Sequence, residues 1–281
     1  MDMMIERGFV RVREGLIHYR ARSPEADTVA RPLYLMHPSP ASARGLEPLM
    51  AAIHGHGLKQ RLIAPDTLGN GDSAPPEGET PDIAYFADSV RRVLDGLKID
   101  KADIYGAHTG ARTAAEFAVI APDRVGKIVF DGIVEYDDAL KRQILDNYAP
   151  EVKPDEFGRH LIWAFNFVRD QAFHFPYFMR DPGHRLSGRM RATGQLHEHV
   201  VDVLKGLTTY HKPYLAAFRY EPTKRLPLVQ APSIFLAADT EPPHLRAAAA
   251  GMAALVPGAR VVETTNGVSG KAAAIAAFLA N

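Results

Sequence analysis

Between an apolar run and a helical pattern stands Gly106-Ala107-His108-Thr109-Gly110, an imidazole flanked on each side by a small residue and a glycine. Small residues and glycines on both sides leave the chain free to turn sharply there, with the imidazole at the tip. An uncharged imidazole displayed there can take a proton from water or from a substrate, or attack an electrophilic carbon itself. The start of the next helix puts the positive end of a helix dipole beside His108, and this, with partial burial, disfavours the imidazolium form. The expectation is a ring that is neutral at pH 7 with one nitrogen free. Cysteine is absent, so no thiolate nucleophile or thiolate metal site competes with it.

A further concentration of chemistry lies in Gly158–Arg185, which gathers Trp163, Phe165, Phe167, Phe173, Phe175, Tyr177 and Phe178 with Arg169, Asp170 and Gln171. Aromatics on the inner face of a helix would wall a pocket for an apolar or aromatic ligand, with Arg169 or Gln171 orienting a carboxylate or carbonyl. Plain packing, with Arg169 and Asp170 as a local ion pair, is the alternative. His160 and His174 are the imidazoles to test as partners of His108. The pairs His54/His56 and His197/His199 have HxH spacing, but residues two apart on a helix do not share a face. They read as solvated surface, and no metal is expected. Ala64–Pro76 is glycine-rich without the spacing that cradles phosphates, so no nucleotide or other cofactor is expected either.

These residues need a scaffold. Two alternating runs around Gly15, "FVRVRE" and "LIHYRAR", predict an antiparallel hairpin. "PLYLMH", "QRLIAP", "ADIYGAH" and "GKIVFDG" are short apolar runs separated by helical patterns, as strands buried on both faces of a parallel sheet are. In one of those helices Asp82 is placed to cap, with Ile83, Phe86, Val90, Val93, Leu94 and Leu97 at helical spacing. The alternation stops over about 134–226 and resumes with "SIFLAAD", a helix, "ARVVETT" and a last helix. The chain therefore divides into an α/β core, residues 1–133 and 227–281, and a helical insertion, 134–226, which reads as a lid. Ligands of open sheets bind beyond the carboxyl ends of the strands.

The chain has 281 residues, with 33 basic and 33 acidic side chains and no net formal charge. That balance removes the electrostatic footprint of a nucleic-acid binder and makes a neutral, small, apolar ligand easier to accept as substrate than a polyanion. The acidic N-terminal stretch lacks a secretory apolar run, and no stretch has the length of a membrane span, so a soluble, cytoplasmic monomer or homodimer is expected.

Four stretches in order, "LMHPSPAS", "APDTLGNGDSAPP", "YGAHTGA" and "FLAADTEPP", resemble the α/β-hydrolase superfamily over nearly the whole chain. Within "APDTLGNGDSAPP", Pro65 to Ser73 is similar to that family's PDxxGxGxS segment. The resemblance implies an α/β-hydrolase fold, a mostly parallel sheet flanked by helices with an inserted lid. It places His108 where the family's GxSxG turn carries serine, and makes the N–H groups of Thr109 and Ser39 an oxyanion hole. Pro38 and Pro40 have no N–H, so Ser39 is the only donor in its triplet. His37 would hold that loop at the edge of the substrate site. The family's distal histidine is missing, since the corresponding stretch, Glu263–Ala273, contains none. The acid can survive as Asp239, Glu241 or Asp131.

Losing the distal histidine while gaining one on the turn reads as one exchange, because imidazole needs no second base to activate it. The function this suggests is hydrolysis of a small apolar or aromatic ester, lactone or related carbonyl compound, with His108 as base or nucleophile. A cofactor-independent lyase, isomerase or decarboxylase using His108 as base is the alternative enzyme. A binding protein on a degenerate hydrolase shell is the alternative outside catalysis.

Overall fold

The computed structural model describes residues 4–23, 30–188 and 190–280; the first three residues of the acidic N-terminal stretch lie outside it. In chain order the sheet strands are β1 (Glu6–Val12), β2 (Gly15–Arg22), β3 (Leu33–Met36), β4 (Leu62–Pro65), β5 (Ala102–Ala107), β6 (Val125–Asp131), β7 (Ser233–Ala238) and β8 (Arg260–Thr264). They form one sheet in the order β1-β2-β4-β3-β5-β6-β7-β8. β1 and β2 are the antiparallel hairpin expected around Gly15, β2 joins β4 antiparallel, and every later pairing is parallel.

The helices between strands are α1 (Glu47–Gly55), α2 (Ile83–Gly96) and α3 (Thr109–Ile120). Between β6 and β7 run α4 (Asp138–Asn147), α5 (Arg159–Asp170), α6 (Thr193–Lys205), α7 (His211–Arg219) and α8 (Pro222–Arg225). The last two are α9 (Pro243–Ala253) and α10 (Gly267–Ala280).

The unbroken apolar runs of the inner strands follow from covering on both faces. Tyr34, Met36, Ile128, Phe130, Phe235 and Ala237 pack on one face with α2, α3 and α9. The alternate residues Leu33, Leu35, Val129, Ile234 and Leu236 pack on the other with α1 and α10. Period-two alternation thus sends every second side chain to a different core, each large one contributing about 1.5–3 kcal/mol by burial. Asp82 caps α2 as its position suggests, accepting the Tyr85 N–H at 2.8 Å.

The segment between β6 and β7 has apolar clusters of its own, one around Phe167, Val203 and Tyr210 and one around Ile144, Tyr148 and Phe218. It is tied to the α/β core by a fork-like pair, Arg225 Nε and Nη2 each donating at 2.8 Å to Glu116 of α3, and by Ser42 and Arg44, between β3 and α1, donating to Asp202. Among the described residues no helix is long and apolar enough to cross a membrane.

Candidate active site

His108 is the single residue between β5 and α3, with φ 51° and ψ −103°. A non-glycine residue at positive φ is strained, and its surroundings must hold it there. Its N–H donates to Asp131 O at 2.9 Å, and its carbonyl accepts from Ala111 N, Arg112 N and Arg112 Nη1. A Cβ on Gly106 would collide with the Gly110 carbonyl, and one on Gly110 with the Met36 carbonyl. The glycines therefore permit close contact of backbone with backbone, and the ring is left projecting.

The ring lines a cavity of about 680 Å³, whose wall also includes Ser39, Thr109, Arg112, Gly132 and Glu241. Nε2 lies 2.7 Å from Glu241 Oε2. The other oxygen, Oε1, accepts from Lys271 Nζ at 2.8 Å, and the same ammonium donates to Asp131 Oδ2 at 2.7 Å. Tyr105 OH donates to that Asp131 oxygen at 2.6 Å. β5, β6, the turn after β7 and α10 thus converge at the carboxyl edge of the sheet to build a chain of alternating charge.

The downward shift expected of the His108 ring is corrected by this chain of charges. Burial is the largest influence on His108 and lowers its pKa, but the charge and hydrogen bond of Glu241, with Asp131 behind, overcome it against Lys271. The net shift is upward. Helix dipole and burial are influences that the neighbouring residues announce, whereas the carboxylate that outweighs them is 133 residues away in sequence. Burial likewise opposes ionisation of Glu241, yet His108 and Lys271 hold its carboxyl well below the usual range.

Of the three candidate acids, Glu241 reaches the ring. The Asp131 side chain is linked to it only by way of Lys271 and Glu241, and Asp239, exposed, accepts from the Gly267 N–H at 3.2 Å. Ser39 and Thr109 share the cavity with His108, and Thr109 opens α3, so its N–H is one of the four without an intrahelical acceptor. His37 is buried behind the wall instead of on it. Thr67 N–H donates to its Nε2 at 2.9 Å, which leaves Nδ1–H to donate to Pro38 O at 2.8 Å and brace the loop carrying Ser39.

Gln171 lines the cavity; Trp163, Arg169, His160 and His174 do not. Trp163 stacks on Phe167 at 4.9 Å, and Arg169 pairs with Asp170. His160 Nδ1 accepts from Asp155 N–H, and His174 forms a backbone bridge with Arg185. Phe175 alone of the seven aromatics in 158–185 is on the wall; the others there are Tyr136, Tyr148, Tyr214 and Phe218. Nor are both HxH pairs solvated. His54 is buried with Nε2 on Gln60 O, and His199 lines the cavity against Arg191.

Four residues of the site are not singled out by sequence reasoning. Lys271 is a lone charge in an alanine-rich helix, a signal in itself, because a buried ammonium requires partners. Arg112 and Arg191 line the cavity with no carboxylate partner among the described residues, and burial lowers the pKa of both. His244 stacks on Phe175 at 4.2 Å and also lines the cavity. Burial, with the nearby His108 charge, takes its pKa down to about 4, so it is neutral near pH 7.

Gly132 has φ +75°, and a Cβ there would stand 3.0 Å from His108 Cδ2 and Nε2 and 3.2 Å from Glu241 Oε2. Gly132→Ala is expected to cost about 1–3 kcal/mol in urea denaturation. It should also loosen the ring from its carboxylate, so the His108 pKa read by NMR falls toward that of a free imidazole. A variant with unchanged stability and titration contradicts this packing.

Fold and site together define an enzyme-like α/β shell, and a family model described as the alpha/beta hydrolase fold matches residues 32–267. The chain belongs to that family. It is 33% identical over 135 residues to a 2-hydroxy-6-oxononadienedioate/2-hydroxy-6-oxononatrienedioate hydrolase of Paraburkholderia xenovorans (strain LB400), covering 44% of this chain and 43% of that one. A 2-hydroxymuconate semialdehyde hydrolase of Pseudomonas putida is 36% identical over 104 residues, 37% of this chain and 36% of its own. The matches span less than half the length of these curated relatives. A solved hydrolase from Pseudomonas aeruginosa PA01 superposes over 98% of this chain and 99% of its own, with a TM-score of 0.71 at 17% identity, a likeness of fold alone.

Proposed function

We propose that the protein hydrolyses small carbonyl compounds with His108 as general base, the segment 134–226 serving as a lid over the site. The observation that carries this reading is the His108 ring, tied by Nε2 to Glu241 at 2.7 Å, on a cavity wall shared with Ser39 and Thr109. With Nε2–H donated to the carboxylate, the neutral ring keeps its lone pair on Nδ1. Nδ1 takes a proton from water as the water oxygen attacks the carbonyl, and Glu241 balances the imidazolium that forms. The oxygen of the tetrahedral intermediate then sits against the N–H groups of Thr109 and Ser39. Its collapse expels the leaving group, which takes the proton back from His108.

Direct attack by water needs one base, and one is tied to an acid here. It predicts linear release of nitrophenolate from 4-nitrophenyl butyrate and indifference to serine-directed phosphonates. A burst equal to the enzyme concentration would instead mean that the His108 ring itself is acylated.

The two cavity arginines without acid partners favour a substrate that brings its own negative charge. The relatives' named substrates include dienedioates, carbonyl compounds with carboxylates. Benzoate should therefore compete with the butyrate ester, and Arg112→Met should raise its inhibition constant roughly 10- to 100-fold, the worth of one charged hydrogen bond. An unchanged constant removes Arg112 from the binding site.

A further inference from the structure

We propose that Lys271 is a positioning residue for this reaction: its ammonium, wedged between the buried carboxylates of Asp131 and Glu241, cancels one of their two negative charges and lets the His108 ring give up its proton. The inference rests on His108 acting as a base. Its geometry is direct, with Nζ 2.7 Å from Asp131 Oδ2 and 2.8 Å from Glu241 Oε1, and all three side chains buried.

The groups facing His108 come from every element around it. Glu241 follows β7, Asp131 ends β6, Lys271 is on α10 and His244 on α9, while Arg112 of α3 donates to the His108 carbonyl. Tyr105 of β5 reaches the chain through Asp131. His244 is neutral near pH 7, so the charges close to the ring are two acids and one ammonium, with Arg112 beyond. A ring facing both acids without the ammonium holds its proton more tightly, and an imidazolium takes no proton from water. Lys271 indeed pulls the His108 pKa down while both acids push it up. Stability does not account for the arrangement, because a buried ion pair is often no better than apolar side chains of the same volume.

The test is the pH profile of kcat/KM on 4-nitrophenyl butyrate, with an NMR titration of the His108 ring, in the full chain. In Lys271→Met the acid limb and the ring pKa should rise by about one unit, and in Asp131→Asn both should fall by about as much. The double variant should return near the wild type, and Lys271→Arg, which keeps the charge, should leave the limb in place. Rates that drop at every pH while limb and ring pKa stay fixed in both single variants mean that Lys271 only fills space, and the proposal fails. If Lys271→Met does not fold, Lys271→Gln takes its place, a raised ring pKa supporting the proposal and an unmoved one overturning it. The titration needs no turnover. Full activity in His108→Ala sinks the base reading separately, and the ring pKa still reports what Lys271 does to it.

Discussion

His108→Ala is expected to lower kcat/KM on 4-nitrophenyl butyrate by about 1,000-fold, within the 10²–10⁴ that a placed general base typically contributes. The turn should survive, because its shape is set by the close backbone contacts at Gly106 and Gly110 and by the bond from residue 108 N–H to Asp131 O. Far-UV dichroism and unfolding midpoint should therefore stay close to wild type, separating lost chemistry from lost fold. His108→Ser should be equally inactive despite restoring the serine of the family's GxSxG pattern. A serine hydroxyl needs an imidazole held against it, and the group bonded to position 108 is the Glu241 carboxylate, a weak base that Lys271 keeps ionised. Recovery of activity in the serine variant would reveal a second base beside residue 108 and end the account of a single imidazole.

Glu241→Gln carries the other large effect. It keeps the shape and removes the charge, leaving Lys271 to Asp131 and the His108 ring without its counter-ion. An orienting acid of this kind is worth on the order of 10⁴ in kcat when lost in a serine protease, and a loss of at least 100-fold is expected here. The direction with pH follows from the sign of each shift. Glu241 raises the His108 pKa, so the acid limb of the residual activity should move to lower pH. For stability, the depressed Glu241 pKa gives a contribution present above its ordinary value of 4.5 and lost as pH falls through the folded value. The raised His108 pKa gives one present below its ordinary 6.5 and lost as pH rises through the folded value. The pair is at full strength between those two ordinary values. The wild-type advantage over Glu241→Gln in urea denaturation should be largest there, and an advantage indifferent to pH would refute the ion pair.

Much of the frame is legible in the order of residues. The hairpin around Gly15, the buried strands, the Asp82 cap and the glycine-flanked turn at His108 are local signals, because strand period, capping and close backbone approach depend on neighbours in sequence. The helical segment is less readable. Its aromatics suggest one inward-facing wall, but Trp163 and Phe167 stack within the segment's own cluster and Phe165 is exposed, while the wall takes Tyr136, Tyr148, Tyr214 and Phe218 from other stretches. Aromatic side chains serve core and pocket equally well, and composition does not separate the two.

By itself the sequence determined the α/β alternation, the sharp turn bearing an imidazole, the absence of a distal histidine and three candidate acids. Only the tertiary structure decided that Glu241 is the acid on the ring, that Lys271 stands between it and Asp131, and that the ring's pKa moves up instead of down. The reason is the range of the forces. Dihedral preference and hydrophobic period act over a few residues, whereas the proton affinity of a buried ring is set by charges within a few ångströms, and here those charges come from β6, the turn after β7 and α10.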